Sequence, residues 1–147
     1  DLSVFTLDAS GAKAKCTRTK QFSFNSKSEG DAGMVRCMAA LSDHRVAVGV
    51  SSWVKVFDAR SGKMNDAIDV GKGCQVSALT ALRDGRLAVG VIGAKKEVRV
   101  YQLNVGGGVK LAGLTASRSN EIRCLVELKD GRLAIGATSE ALPDCEP

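Results

Sequence analysis

The residue types that perform catalysis are sparse in this sequence of 147 residues. Histidine occurs once, at His44, and no acid–base partner is suggested for it. No G-x-S-x-G nucleophile turn and no H-E-x-x-H metal motif is present. Carboxylates recur at Asp43, Asp84 and Asp130, but a role in tight turns explains them. We therefore expect no catalytic residues, no bound metal and no cofactor, and we predict that the chain is not an enzyme.

Cysteine spacing points away from both disulfides and zinc. The five cysteines are Cys16, Cys37, Cys74, Cys124 and Cys145, an odd number without a C-x-x-C pair. Cys37 and Cys124 occupy equivalent places in an internal repeat, which predicts two small, buried apolar side chains. This cysteine usage favours a reducing compartment, and we expect a cytoplasmic protein.

A basic stretch is the first candidate binding feature. The formal net charge is +5, and one stretch with almost no acid carries Lys13, Lys15, Arg18, Lys20 and Lys27. Such a stretch could contact the anionic groups of nucleic acid or of an acidic protein. Aromatic residues are not interleaved with these cations as a base-stacking surface requires, so a solvated loop is the favoured interpretation.

Membrane and secretion signals are missing from the sequence. No apolar run approaches the roughly 18 residues that a membrane helix needs, and the first residues lack the cationic start of a signal peptide. Because the chain begins with Asp1 rather than Met, we expect it to be part of something longer.

The elements that position these residues are predicted by an internal repeat. Residues 41–49 (LSDHRVAVG), 82–90 (LRDGRLAVG) and 128–136 (LKDGRLAIG) match closely, with starts 41 and then 46 residues apart. Each copy follows a short apolar strand, and the first two precede a second shared strand at residues 54–58 and 98–102. Residues 2–6 resemble that second strand, and we expect a weaker strand at residues 20–24. The Asp-Gly pairs at 84–85 and 130–131 predict two-residue hairpins, with His44 at the glycine position in the first copy.

The strand after each hairpin alternates between large and small apolar residues. In the second copy Leu87, Val89 and Val91 occupy one side, and Ala88 and Gly90 occupy the other. Because neither side is polar, we expect both faces to be buried, with the large side of one sheet lying against the small side of its neighbour.

In the first two copies, the next strand has a different pattern from this one. It alternates apolar residues with Lys55 or Arg99, which predicts a half-exposed strand.

This order of strands resembles the β-propellers of the WD-repeat family. The family's Trp-Asp pair is replaced by Phe57-Asp58 and Tyr101-Gln102, and its Gly-His pair is missing. The resemblance implies an all-β fold of four-stranded antiparallel blades. We divide residues 1–147 into the end strands of one blade (1–33), two full blades (34–70 and 71–114) and the first half of another (115–147).

About three blades cannot close a ring, because propellers have four to eight. We expect a fragment of a longer propeller, with a dimer that shares its end halves or an open arc capped by a partner as the alternatives.

The function that the resemblance implies is a non-catalytic scaffold for protein–protein interaction within a larger protein or complex. Binding is expected at the loops that enter the first strand of a blade, which are residues 26–33, 71–75 and 117–121. It is also expected at the loops that join the second and third strands, which are residues 51–53 and 93–97. The candidate residues for binding protein are Trp53, Lys95, Lys96 and Arg118, and those for anion contact are Lys13, Lys15, Arg18 and Lys20. The alternatives are the propeller domain of an enzyme whose site needs the completed ring, and a basic subunit of a ribonucleoprotein assembly.

Overall fold

The computed structural model of the chain describes residues 2–8, 15–22, 34–41, 44–104, 107–115 and 121–138, and the regular elements within them are all strands. They are β1 (Leu2–Asp8), β2 (Lys15–Phe22), β3 (Val35–Ala40), β4 (Arg45–Val50), β5 (Trp53–Asp58), β6 (Met64–Asp69), β7 (Cys74–Ala81), β8 (Arg86–Gly93), β9 (Glu97–Asn104), β10 (Gly107–Thr115), β11 (Glu121–Glu127) and β12 (Leu133–Thr138). The described residues contain no helix that is long and apolar enough to cross a membrane.

The strands form four antiparallel sheets in which strands that are consecutive in the chain are neighbours. Sheet I contains β1 and β2, sheet II contains β3 to β6, sheet III contains β7 to β10, and sheet IV contains β11 and β12. Short connections produce this order, because antiparallel strands need only a hairpin between them. The all-β, antiparallel part of the prediction is confirmed.

Strand β2 lies where the sequence predicts mostly loop. The prediction places a strand at residues 20–24, but β2 runs from Lys15 to Phe22 and pairs with the whole of β1. The β-branched residues Thr17 and Thr19 favour an extended backbone even among cations. Much of the basic stretch is therefore strand, not loop.

The repeated hairpins contain one residue more than predicted. The backbone N–H of Leu82 donates to the carbonyl of Arg86 over 2.8 Å, and that of Gly85 donates to Leu82 over 3.0 Å. Three residues thus lie between the hydrogen-bonded pair Leu82 and Arg86, and only the last of them, Gly85, has a positive φ (85°). A type I turn followed by a left-handed residue has this pattern. His44 takes the same conformation in the first copy, with a φ of 62°.

Sheets II and III pack with large side chains of one against small residues of the other. Ala47 on β4 is buried in one apolar cluster with Val89 and Val91 on β8. A Cβ atom added to Gly49 would lie 2.7 Å from Cγ1 of Val76, so β4 and β7 approach closely. The absence of a side chain at residue 49 is what allows this approach.

Sheets III and IV meet in the same way. Ile122 on β11 is fully buried in a cluster with Ala78 and Ala88 of sheet III. A Cβ atom added to Gly90 would lie 2.8 Å from the Cγ2 atom of Ile122. Burying a side chain of this size stabilises the fold by roughly 1.5–3 kcal/mol. Both sides of β8 are therefore buried, as its alternation predicts.

Two expectations about exposure are wrong. Arg99 is only 6% exposed, although its alternation with apolar residues predicts a half-exposed strand. Its guanidinium donates to the Val70 carbonyl over 2.6 Å, a bond that compensates for burial. Cys124 is exposed, although its repeat position predicts burial. The described residues place no further sheet over that side of sheet IV, whereas Cys37 at the equivalent place is half-buried and packs against the core between sheets II and III.

Candidate interaction surface

Three connections lie together at one end of sheets II and III. We define the loop cluster as residues 51–53, 70–74 and 93–97, which are joined by backbone hydrogen bonds. The N–H of Val76 donates to Ser51 over 2.8 Å, and that of Ala94 donates to Gly73 over 2.9 Å. Because these bonds link both sheets, the connections form one continuous surface. The sequence predicts these loops as binding loops, and the structure places them side by side.

Close backbone packing holds the loop cluster in shape. Gly93 has a φ of 101°, and a Cβ atom there would collide with the carbonyl oxygen of Gly73. Only glycine meets both requirements, since a side chain is disfavoured at this φ and has no room. The β8–β9 connection therefore lies directly against the connection between β6 and β7.

Arg99 connects the sheets beneath the loop cluster. It bonds to the carbonyl of Val70 in sheet II, and its Nε donates to the Glu97 carboxylate over 2.5 Å. Burial lowers the pKa of this guanidinium, but hydrogen bonds with Tyr101 and Glu97 outweigh burial and leave the pKa above its ordinary value. Arg99 therefore keeps its positive charge, and it fixes Val70, the residue directly after β6 of sheet II, to sheet III.

The predicted protein-binding residues are partly brought together. Trp53, the first residue of β5, is half-buried and pairs with Asp69 of β6. Lys95 is exposed in the β8–β9 connection, where Lys96 is half-buried. Arg118 lies outside the described residues, as do the predicted loop at residues 26–33 and all but the last residue of the predicted loop at 117–121.

The structure adds one cation that the sequence did not single out. Lys72 is exposed in the connection between β6 and β7, within the loop cluster. The sequence could have indicated Lys72, because this residue lies in the predicted binding loop at residues 71–75.

The predicted anion-contact residues lie in a different sheet. Lys15, Arg18 and Lys20 lie on β2 of sheet I, where Arg18 pairs with Phe5 and is exposed. Lys13 lies outside the described residues. The nucleic-acid alternative stays a prediction.

A cavity of about 290 Å³ lies at the opposite end of sheets II and III, between the β3–β4 and β7–β8 hairpins. Its walls include Arg45, Arg83 and Arg86. Arg86 donates to Asp84 over 2.7 Å, and this bond keeps the pKa of the carboxyl below its usual range. Arg83 bonds through its backbone to Glu127 over 2.8 Å. Acidic partners thus offset the charge of Arg86, which is paired with Asp84, and of Arg83, whose Nε lies 4.0 Å from the Glu127 carboxylate.

The described residues hold no cluster of three or more His, Cys, Asp or Glu side chains that could bind a metal ion.

Comparison with known proteins gives a structural likeness without a function. No family model and no curated protein matches the chain. Its fold is similar to a crystal structure of a protein of unknown function from Bacteroides caccae, with a TM-score of 0.52 and 18% sequence identity. The match covers 71% of this chain and 38% of that one. The chain thus spans well under half of the protein it resembles, and the likeness concerns the fold alone.

Proposed function

We propose that the chain is part of a WD-repeat-like β-propeller and acts as a non-catalytic scaffold that binds protein through the loop cluster. Three features support the blade interpretation: four-stranded antiparallel meanders, large-on-small packing between successive sheets, and a repeat near the length of one blade. The free thiols of Cys16, Cys37, Cys74 and Cys124 are in keeping with a reducing compartment, and we place the protein in the cytoplasm.

The observation that carries the binding role is the anchoring of the loop cluster. Loops on a stiff scaffold lose little conformational entropy when they bind, so more of the contact energy contributes to affinity. Here the backbone bonds of Ser51 and Gly73 and the buried Arg99 hold the connections against two sheets. A fixed surface of this kind suits the recognition of a folded partner.

The chemistry of the partner follows from the side chains that the loop cluster presents. Lys72 and Lys95 are exposed cations, which attract carboxylates and accelerate encounter with an acidic surface. Trp53 is half-buried, and a partly fixed indole provides a large contact area at small entropic cost. We therefore propose a protein partner with an acidic surface that also presents apolar groups to Trp53.

Quantitative affinity capture tests this proposal. Immobilised wild-type chain and the variants Trp53→Ala and Lys95→Glu are incubated with the same cell extract, and the retained proteins are compared by mass spectrometry. We expect at least one protein to be retained by the wild type and lost, together with its binding in a purified assay, from both variants. Arg60→Glu, which changes an exposed cation in the β5–β6 turn at the other end of sheet II, is the matched control.

The same measurement can reject the proposal. If every protein that binds the wild type also binds both variants with unchanged affinity, the loop cluster is not the binding surface. Turnover of a small substrate by the purified chain would reject the non-catalytic role.

A further inference from the structure

The last strand of sheet IV, β12, has one paired neighbour among the described residues, whereas the equivalent strands β4 and β8 have two. β4 lies between β3 and β5, and β8 lies between β7 and β9. In the described part of the chain β12 pairs only with β11. Its Ile135 is 41% exposed, whereas Val48 and Val89 at the equivalent positions are fully buried. An apolar strand with an open edge invites pairing with another strand.

Sheet I matches the third and fourth strands of sheets II and III, and sheet IV has no such pair among the described residues. The β5–β6 pair has a bulge between Val56 and Phe57, and the β1–β2 pair has one between Val4 and Phe5, in the same Val-Phe step. The β9–β10 pair is interrupted at the corresponding place, opposite Val100. Residues, spacing and bulge thus identify β1–β2 as the second half of a four-stranded unit. Among the described residues it is the one such hairpin outside a four-stranded sheet.

The pairs formed by the first two strands of sheets II, III and IV also share a bulge. The β3–β4 and β7–β8 pairs are interrupted after Val35 and Val76, and the β11–β12 pair is interrupted after Ile122. Sheet IV is therefore the first half of the same unit. A two-stranded hairpin alone is marginal in water, so each half gains stability from the other.

We propose that the open edge of β12 pairs with β1 of a second copy of this chain, and that the exchange is reciprocal. Each copy offers the same two complementary edges, so the contact is head-to-tail, and it closes into a symmetric pair when both edges of one copy engage those of the other. Each composite sheet then has β11 and β12 from one copy and β1 and β2 from the other. The exchange removes the exposed edges of β12 and β1.

The register of the new pairing follows from the complete sheets. Val48 lies opposite Lys55 and Val89 lies opposite Arg99. The equivalent pair is Ile135 opposite Ser3, with Ala134 opposite Val4. Directly opposed Cα atoms of antiparallel strands lie about 4.5–5.5 Å apart, within the roughly 4.4–6.8 Å that separates the Cα atoms of a disulfide.

Sedimentation equilibrium of the 147-residue chain tests the exchange first. We expect a particle of twice the 15.4 kDa of the single chain at micromolar concentration. Ile135→Lys places a charge where the equivalent residues are buried, so it should raise the dissociation constant at least tenfold. Its exposure in the single chain lets the variant fold. Met64→Lys, which replaces a residue that is 56% exposed on β6, should leave the mass unchanged.

A disulfide then tests the register. The double variant Ser3→Cys with Ile135→Cys should form a covalent dimer on oxidation, and peptide mass spectrometry should find the link between residues 3 and 135 of different copies. Val4→Cys with Ile135→Cys, two residues that are not opposed in this register, should form little of it.

Three results would overturn the proposal. They are a monomeric chain at high micromolar concentration, a link between residues 3 and 135 within one copy, and a dimer that persists unchanged in Ile135→Lys. The first would assign the edge of β12 to another segment or protein.

Discussion

Replacing Gly90 and Ile122 by alanine, singly and together, measures the contact between sheets III and IV. Ile122 is fully buried, so Ile122→Ala should cost about 2–5 kcal/mol of unfolding free energy through lost burial and a cavity. Gly90→Ala places a Cβ atom 2.8 Å from Cγ2 of Ile122 and 3.2 Å from Cβ of Ala78. Overpacking costs about 1–3 kcal/mol, and reduced freedom of the unfolded chain returns about 0.4–1 kcal/mol.

The double variant distinguishes this geometry from two unrelated losses. Ile122→Ala removes the atom that the new Cβ would strike, so the double variant should be at least about 1 kcal/mol more stable than the sum of the single losses. Urea denaturation followed by circular dichroism provides the three free energies. A cycle of Gly90→Ala with Ile68→Ala, a buried residue of the cluster between sheets II and III, should be additive to within about 0.5 kcal/mol. Additivity in the first cycle would refute the packing of Ile122 on Gly90.

Three other outcomes are expected. His44→Gly should stabilise the chain by about 1 kcal/mol, because His44 has a φ of 62° that glycine adopts without strain. Arg99→Met should cost about 1.5–3 kcal/mol, because the buried Val70 carbonyl loses a charged donor. Cys37 should react with iodoacetamide far more slowly than the exposed Cys16 at mildly alkaline pH, because burial raises its pKa to about 11. Its rate should increase as pH rises and the thiolate forms.

Controls for these outcomes come from the chain itself. Arg123→Met removes an exposed ion pair with Glu121, which has the same spacing as Arg99 and Glu97, and should cost below about 1 kcal/mol. Thermal and urea unfolding give the stabilities, and peptide mass spectrometry gives the alkylation rates. Equal losses in the two arginine variants, a destabilised His44→Gly, or equal rates at both thiols would each contradict the stated reason.

The strands and their packing could be predicted because the repeat displays its pattern three times. The alternation of Val89 with Ala88 and Gly90 indicates both an extended backbone and two buried faces. The turn length was wrong because Asp-Gly suits both two- and three-residue loops, and only the bond between Leu82 and Arg86 distinguishes them. β2 was placed too late because its cations obscure the pattern of a strand.

The candidate surface could be predicted less completely. The positions of Trp53 and Lys95 follow from the turns, because Trp53 comes directly after one turn and Lys95 lies within another. Burial of Arg99 could not be read from its strand, because its acceptor, the carbonyl of Val70, belongs to another sheet. The exposure of Cys124 depends on what packs against sheet IV, which lies outside the repeat pattern itself.

The central claim is that the large side of sheets III and IV lies on the glycine side of the sheet that precedes each of them. Nuclear Overhauser effects between neighbouring sheets test this claim most directly. In a methyl-labelled chain, the γ1 methyl of Val76 should show a strong effect to the Hα protons of Gly49, and the γ2 methyl of Ile122 should show one to those of Gly90. If both effects were missing while the strand pairings of β4 and β8 were observed, the sheets would not be nested in this way.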